Sequence, residues 1–457
     1  MNTFADKQTL DDLNIPGRHK NNSVARIFDE TITPGGAKLL DEMFRNPLTN
    51  EAQINERSGI FEYFTARSYS FPVQEEEFSM MEEYLHSGGS RNILAVSKNL
   101  LVKKVLQAAA KDDSFDSLKK ALTVTVSALR KFQGFIWGMD DDGGPFSQTL
   151  SAFKAILGNS LLLAIEEDNI SPEISLAKLI TYDRLLRGVL SAQMAELISL
   201  IYRLDVYIAV AAVAARNGFC YPEALPSESN RLHISGLRHP GIRNAVGNKL
   251  ASDTGSNVVF LTGANMAGKS TLMKAAGIAF YLAHMGFPVA ADEMVFSVKD
   301  GLYSSINVPD NIGLGYSHFY AEILRVKKVA EDVAAGRTLL VIFDELFKGT
   351  NVKDAYDATL AISEAFAENR NSFFIISTHI TEVGEELRSR CANFQFAYLP
   401  TVMEASKPTY SYRLKEGITA DRHGMTIIEN EGILDLINEI QRSDASPEKL
   451  TNTNKIK

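Results

Sequence analysis

The segment Leu261-Thr-Gly-Ala-Asn-Met-Ala-Gly-Lys-Ser-Thr271 ends a glycine-bounded loop in a lysine and two hydroxyl residues, the spacing Gly-x-x-x-x-Gly-Lys-Ser/Thr that cradles nucleotide phosphates. In that arrangement backbone N–H groups and a helix N-terminus face the β- and γ-phosphates. Lys269 adds a point charge, and the Ser270 hydroxyl can hold Mg²⁺. Gly263, Met266, Ala267, Gly268, Lys269, Ser270 and Thr271 are therefore the candidate nucleotide contacts; the plainer alternative is a glycine-rich turn before an ordinary helix.

A second group of residues offers the chemistry that such a loop needs. The apolar run Thr338-Leu-Leu-Val-Ile-Phe343 passes directly into Asp344-Glu345. A carboxylate at the end of a buried strand beside a phosphate loop can hold the metal, and the next one can orient and deprotonate an attacking water. Asp344 is thus the metal candidate and Glu345 the base candidate, against the alternative of an acidic pair capping the following helix. Ser377-Thr-His379 ends a further apolar run in the same way, so His379 is placed to donate to the γ-phosphate or the attacking water.

These residues need strands and helices in a fixed order. Val258-Val-Phe-Leu261 reads as a short buried strand, and Thr271 to Leu282 carries apolar residues at helical spacing. Thr338–Phe343 and Ser372–Ser377 are continuous apolar runs, as expected of strands covered on both faces of a parallel sheet. The chain before them has another texture. Residues from about 25 to 225 are helical in pattern, with breakers at Pro34-Gly35-Gly36, Ser87–Ser90, Asp140–Pro145 and Ser171-Pro172. Long helices are expected from Ser114 to Met139 and from Ser171 to about Asn217, either as levers or as a plain bundle. The expected organisation is an extension over 1–24, a helical domain over 25–229, an α/β domain over 230–442 and a polar tail over 443–457. In fold class this is α plus α/β.

Composition frames the function. The 457 residues are 45% hydrophobic and 23% charged, as in ordinary globular proteins. The longest uncharged apolar run, Val206 to Ala215, is short of the roughly 20 residues that a spanning helix needs. The first residues lack the basic and apolar regions of a signal peptide, so a cytoplasmic chain with no membrane role is expected. Cys220 and Cys391 form neither a metal-ligand spacing nor a disulfide framework and read as inert thiols. A net charge of −9 argues against a surface coated in basic residues, yet leaves room for a local basic patch.

The combined motifs resemble the MutS mismatch-repair ATPases. The family's loop reads Thr-Gly-Pro-Asn-Met-Gly-Gly-Lys-Ser-Thr, against Thr262 to Thr271 here; Ala264 and Ala267 replace Pro and Gly. At Ala267 a backbone angle that alanine resists would be in question. Arg238-His239-Pro240, Tyr316-Ser317-His318-Phe319 and Phe343-Asp-Glu-Leu-Phe-Lys-Gly-Thr-Asn351 follow in family order, the last for Asp-Glu-Ile-Gly-Arg-Gly-Thr-Ser. In the helical half, Thr33–Leu40, Asn46-Pro-Leu48, Ile54–Arg57 and Leu204-Asp-Val-Tyr207 through Pro222 resemble the start and the closing helix of the family's core domain.

The resemblance implies a helical core and lever domain followed by an ABC-type P-loop domain with a mostly parallel sheet. It implies ATP and Mg²⁺ as cofactors. It also implies a homodimer in which Ser317 and Asn351 complete the partner's site, with Asn265 supporting phosphate. Ile418 to Gly424 would lie near the nucleotide, with His423 where the family has Tyr. The family's mismatch-reading and connector domains are not expected in the two dozen residues before the core, and the DNA clamp is expected to be reduced. Phe28-Asp29-Glu30 has the spacing of the mismatch wedge but falls inside the core match, where it reads as coincidence. Two functions stay open. One is a DNA-acting ATPase, with Lys98, Lys103, Lys104, Arg130 and Lys131 lining a grip or merely a solvated face. The other is an ATPase that moves a protein partner, favoured by the acidic balance and by Asp140-Asp-Asp142. A transporter-type ATPase is weaker, because Leu-Ser-Gly-Gly-Gln is not found.

Overall fold

The computed structural model describes residues 3–16, 23–110, 113–167, 174–264, 266–306, 318–404, 407–419, 432–434 and 436–437. Their packing divides the chain into two compact units, Met1–Ala245 with Ala275–Leu302, and Val246–Lys274 with Tyr303–Lys457.

The first unit is mostly helical. Helix Ser114–Trp137 forms where apolar residues recur at helical spacing. The long helix expected after Ser171 is divided into Leu176–Arg184, a π turn over Leu185–Val189 and Ser191–Asn217. Within the turn, Gly188 lets the Ser90 backbone approach so closely that a Cβ there would meet the Ser90 carbonyl oxygen at 2.6 Å. Helix Ser191–Asn217 is long and apolar enough to cross a membrane by composition, but most of it is buried inside this unit, against helices Glu51–Arg67 and Pro34–Arg45.

Pro34-Gly35-Gly36, expected as a breaker, instead starts helix Pro34–Arg45. Pro34 occupies the first turn, where it forfeits no helical hydrogen bond, and Thr33 caps the end by accepting from Gly36 N at 2.9 Å. The glycines are required by close approach: a Cβ at Gly35 would sit 2.2 Å from the Tyr202 ring, and one at Gly36 2.5 Å from Asp205 Oδ2. Phe28 is fully buried between Phe44, Phe219 and Phe287, with ring centroids 5.5–6.1 Å away, so it is core and no wedge. The N-terminal residues are also packed. Phe4 lies 4.5 Å from the His284 ring, and helix Lys7–Asp12 is capped by Asp6.

His284 is fully buried. Its Nε2 accepts from Lys299 N at 3.0 Å, which leaves Nδ1 protonated and donating to the Phe280 carbonyl at 2.9 Å. Burial pushes its pKa down to about 3 from 6.5. A depressed histidine contributes stability that is complete above pH 6.5 and is lost as pH falls toward 3, because the unfolded chain takes up the proton first. Across that window the stability of this unit is expected to fall by on the order of 1.4 kcal/mol per pH unit from this group. Urea titrations at several pH values, compared with His284→Gln, check it; an unchanged slope in the variant removes His284 as the cause.

The second unit is built on a sheet. Its strand order is Lys415–Glu416, Phe394–Tyr398, Val258–Thr262, Phe373–Ser377, Leu339–Phe343 and Gly301–Ser305. The four strands from Phe394–Tyr398 to Leu339–Phe343 run parallel, and Lys415–Glu416 pairs antiparallel at the edge. Val258–Thr262, Leu339–Phe343 and Phe373–Ser377 are buried along their whole length, which is why the sequence shows unbroken apolar runs there. The mixed helical and sheet content agrees with the expected α plus α/β class. Cys220 and Cys391 are free and half-buried, and burial pushes the Cys220 thiol up to about 11, which keeps it inert.

Candidate nucleotide site

Register brings the chemistry together. Leu261 pairs with Ser377 and Phe343 with Ile376, so three adjacent parallel strands end at one level and release Gly263, Asp344 and Thr378 at the same edge. Ligands in open α/β sheets bind outside such carboxyl ends.

After Val258–Thr262 the loop turns through Gly263 at φ 139°, Met266 at 69° and Gly268 at 103°, and helix Lys269–His284 starts at once. The anticipated difficulty at Ala267 does not arise, since Ala267 lies outside the left-handed region and is buried. Met266 carries the strain instead, with its side chain exposed. Lys269 is folded inward, its Nζ donating to the carbonyls of Gly263 at 2.7 Å and Ala264 at 3.2 Å. Burial lowers its pKa, and the nearby Asp344 and Glu345 carboxylates pull the other way. A buried ammonium that among the described residues is held by two loop carbonyls has charge to offer an anion. Ser270 and Thr271 are exposed at the helix start.

Asp344 is buried, its N–H donates to Ser305 O at 2.9 Å, and its carboxylate accepts from the Ser377 hydroxyl. Glu345 sits at φ 55°, its N–H shared between Ser377 O and Oγ, each at 3.1 Å. Its carboxylate meets His379 Nε2 at 2.6 Å and Lys348 Nζ at 3.7 Å. The hydrogen bond from His379 is the main cause holding the Glu345 carboxyl below its usual range, against burial, which raises it. The base candidate and the histidine candidate are therefore direct partners. Among the described residues no cluster of three His, Cys, Asp or Glu could hold a metal. Mg²⁺ fits this donor set none the less, because it takes one carboxylate, a hydroxyl, phosphate oxygens and water: Asp344 and Ser270 would supply the protein's share.

Several roles escaped the sequence reading. Ser377 ties Asp344 to the backbone of Glu345, a role that no spacing rule announces. Tyr412 lies against the loop so closely that a Cβ on Gly268 would be 3.1 Å from its ring, and Asn248 fixes it by donating to Tyr412 O at 2.9 Å and accepting from Leu414 N at 2.7 Å. The pair Tyr410 and Tyr412, with centroids 6.0 Å apart, is visible in the sequence only as local aromatic richness. Phe347 occupies the left-handed region at φ 61°, where the similar motif has glycine; its ring is buried and packs 6.0 Å from Phe319. That packing offsets a backbone cost of about 1–2 kcal/mol.

Asn351 caps helix Val352–Ala367, accepting from Asp354 N at 3.0 Å. Asn265, Ser317, His423, residues 420–424 of the C-terminal segment and the tail 443–457 lie outside the described residues. Of the candidate basic side chains, Lys131 is held by Glu77 at 2.6 Å, while Lys98 and Lys104 are exposed on helix Ile93–Ala110.

With this geometry in place, residues 8–211 match the family described as MutS domain III, and residues 259–446 match MutS domain V. The DNA mismatch repair protein MutS of Listeria monocytogenes serotype 4b is 28% identical over 232 residues, 50% of this chain and 26% of that protein. The namesake of Pseudothermotoga lettingae is 30% identical over 249 residues, 54% of this chain and 30% of that protein. That of Fusobacterium nucleatum is 31% identical over 209 residues, 44% of this chain and 23% of that protein. The matched stretch thus spans about a quarter to a third of these relatives.

Proposed function

The chain belongs to the MutS family, and from that premise we propose that it is a Mg²⁺-dependent ATPase of ABC type that couples its nucleotide state to the helical unit while acting on DNA in repair or recombination. One observation carries the reading: Lys269, Asp344, Glu345 and His379 converge where three parallel strands end beside a glycine loop. Bound Mg²⁺ would supply charge neutralisation of the phosphates. Lys269 exchanges its loop carbonyls for phosphate oxygens, the loop N–H groups orient them, and Ser270 with Asp344 would hold the metal. Tyr412 offers an aromatic face beside the loop for the base. Glu345 takes the proton of the attacking water, and His379 holds the Glu345 carboxylate in place until then. A homodimer in which Ser317 and Asn351 meet the partner's nucleotide completes the proposal, together with a cytoplasmic setting.

A second reading, in which the ATPase moves a protein partner without binding DNA, is supported by the net charge of −9 and by the exposed loop Asp140-Asp-Asp142. One experiment separates the two. ATPase rate and mass of the full chain are measured without DNA and with linear duplex, mismatched duplex or a four-way junction, each at two salt concentrations. Stimulation by one of these DNAs that falls steeply with salt is expected, since phosphate contacts release counterions. ATPase activity indifferent to every DNA transfers the case to the protein-moving reading, and no hydrolysis at all in the wild type, with Lys269→Ala as the background, rejects the ATPase.

A further inference from the structure

Helix Ile93–Ala110 in the helical unit is inverted relative to an ordinary surface helix. It is anchored through Val96 and Leu100, one turn apart and almost fully buried, while Leu94, Leu101, Val102, Val105 and Leu106 are 42–75% exposed. Leu94, Leu101, Val105 and Ala108 follow one another at spacings of seven, four and three, the seam pattern of a helix that meets another helix. Beside them an open apolar groove of about 780 Å³ is lined by Leu101, Val105, Ala108, Ala109 and Leu176. Six exposed large apolar side chains on one helix, Ile93 included, are more than the scattered few that any surface carries.

Charge decides what fits. From Arg91 to Lys111 the sequence holds no Asp or Glu but one Arg and four Lys, in a chain whose net charge is −9. Lys98 lies within the seam and Lys104 on its flank, both exposed. We propose that this face docks an acidic amphipathic helix of a protein partner, its leucine-type residues entering the groove and its carboxylates meeting Lys98 and Lys104. A second copy of the same helix would set like charges opposite one another. A lipid surface is disfavoured because the helix has no Phe, Trp or Tyr to sit at the interface. Nucleic acid would leave the leucines and valines unmatched, since its backbone is read by cationic and polar groups. The site is independent of the nucleotide chemistry.

The probe is a synthetic 21-residue helix with Leu at the a and d positions and Glu at e and g, fluorescently labelled, titrated with the full chain; a peptide with Lys for every Glu is the control. Binding of the Glu peptide about tenfold tighter than the Lys peptide is expected, the change that a few screened ion pairs supply. It should be lost in Leu101→Glu/Val105→Glu and weakened in Lys98→Glu/Lys104→Glu. All four side chains are exposed, so helicity and the urea midpoint should match the wild type and exclude misfolding. Equal binding of both peptides, or binding untouched by Leu101→Glu/Val105→Glu, overturns the proposal. So does a dimer that dissociates on that double substitution, which assigns the face to a second copy, or double-variant-sensitive binding to phosphatidylglycerol vesicles without peptide binding, which assigns it to lipid.

Discussion

Replacing Glu345 with Gln is expected to lower ATP hydrolysis by about 10²–10⁴-fold, the range for removal of a general base, while nucleotide binding persists. The geometry makes this a narrow change. Gln keeps an oxygen to accept from His379, and the backbone at φ 55° is one that Glu and Gln adopt at the same cost. Asp344, Ser270 and Lys269 are untouched, so the metal and phosphate contacts remain. The variant should therefore accumulate bound ATP in single-turnover assays and run as a larger species when ATP is present. Because the His379 hydrogen bond holds the Glu345 carboxyl below its usual value of 4.5, loss of the base by protonation should not limit hydrolysis until the pH is below that value. Wild-type turnover in Glu345→Gln places the base elsewhere.

The second large effect is structural. Asp205→Ala is expected to destabilise the helical unit by several kcal/mol, about 1–3 kcal/mol for each buried donor left without its acceptor. Asp205 is almost wholly buried in helix Ser191–Asn217 and accepts from Ile32 N at 3.0 Å and from Thr33 N and Thr33 Oγ1, each at 2.7 Å. Burial pushes its carboxyl upward, and these same bonds oppose the shift. Alanine strands both N–H groups and releases Thr33, whose hydroxyl caps helix Pro34–Arg45. Asp205→Asn, which retains an acceptor, should cost less. The single tryptophan, Trp137, lies in this unit, so its fluorescence in urea follows the right transition. An unchanged midpoint in Asp205→Ala would show that Ile32 and Thr33 find other partners.

The site was legible because its parts obey local rules. A glycine loop must follow a buried strand and precede a helix, and carboxylates and a histidine must end neighbouring strands; each rule leaves a trace within ten residues. The helical half was legible as a period of apolar residues, and less so in detail. Pro34-Gly35-Gly36 carries the letters of a breaker, but Tyr202 and Asp205, some 170 residues away in sequence, demand small residues there and turn it into a helix start. At Gly188, in the π turn over Leu185–Val189, it is likewise the distant Ser90 backbone that demands a small residue.

By itself, then, the sequence determined the order of strand, loop, helix, carboxylate pair and histidine, and with it the class of chemistry, since short-range spacing and burial pattern are local properties. Tertiary structure alone decided that Glu345 and His379 hold each other, that Ser377 joins Asp344 to Glu345, that Met266 and Phe347 rather than Ala267 bear left-handed backbone, and that His284 is held neutral in a core. It also decided which side of helix Ile93–Ala110 faces water. The physical reason is common to all of them. Hydrogen bonds, burial and positive φ are set by which distant residues arrive as neighbours, and periodicity names a helix face without naming what covers it.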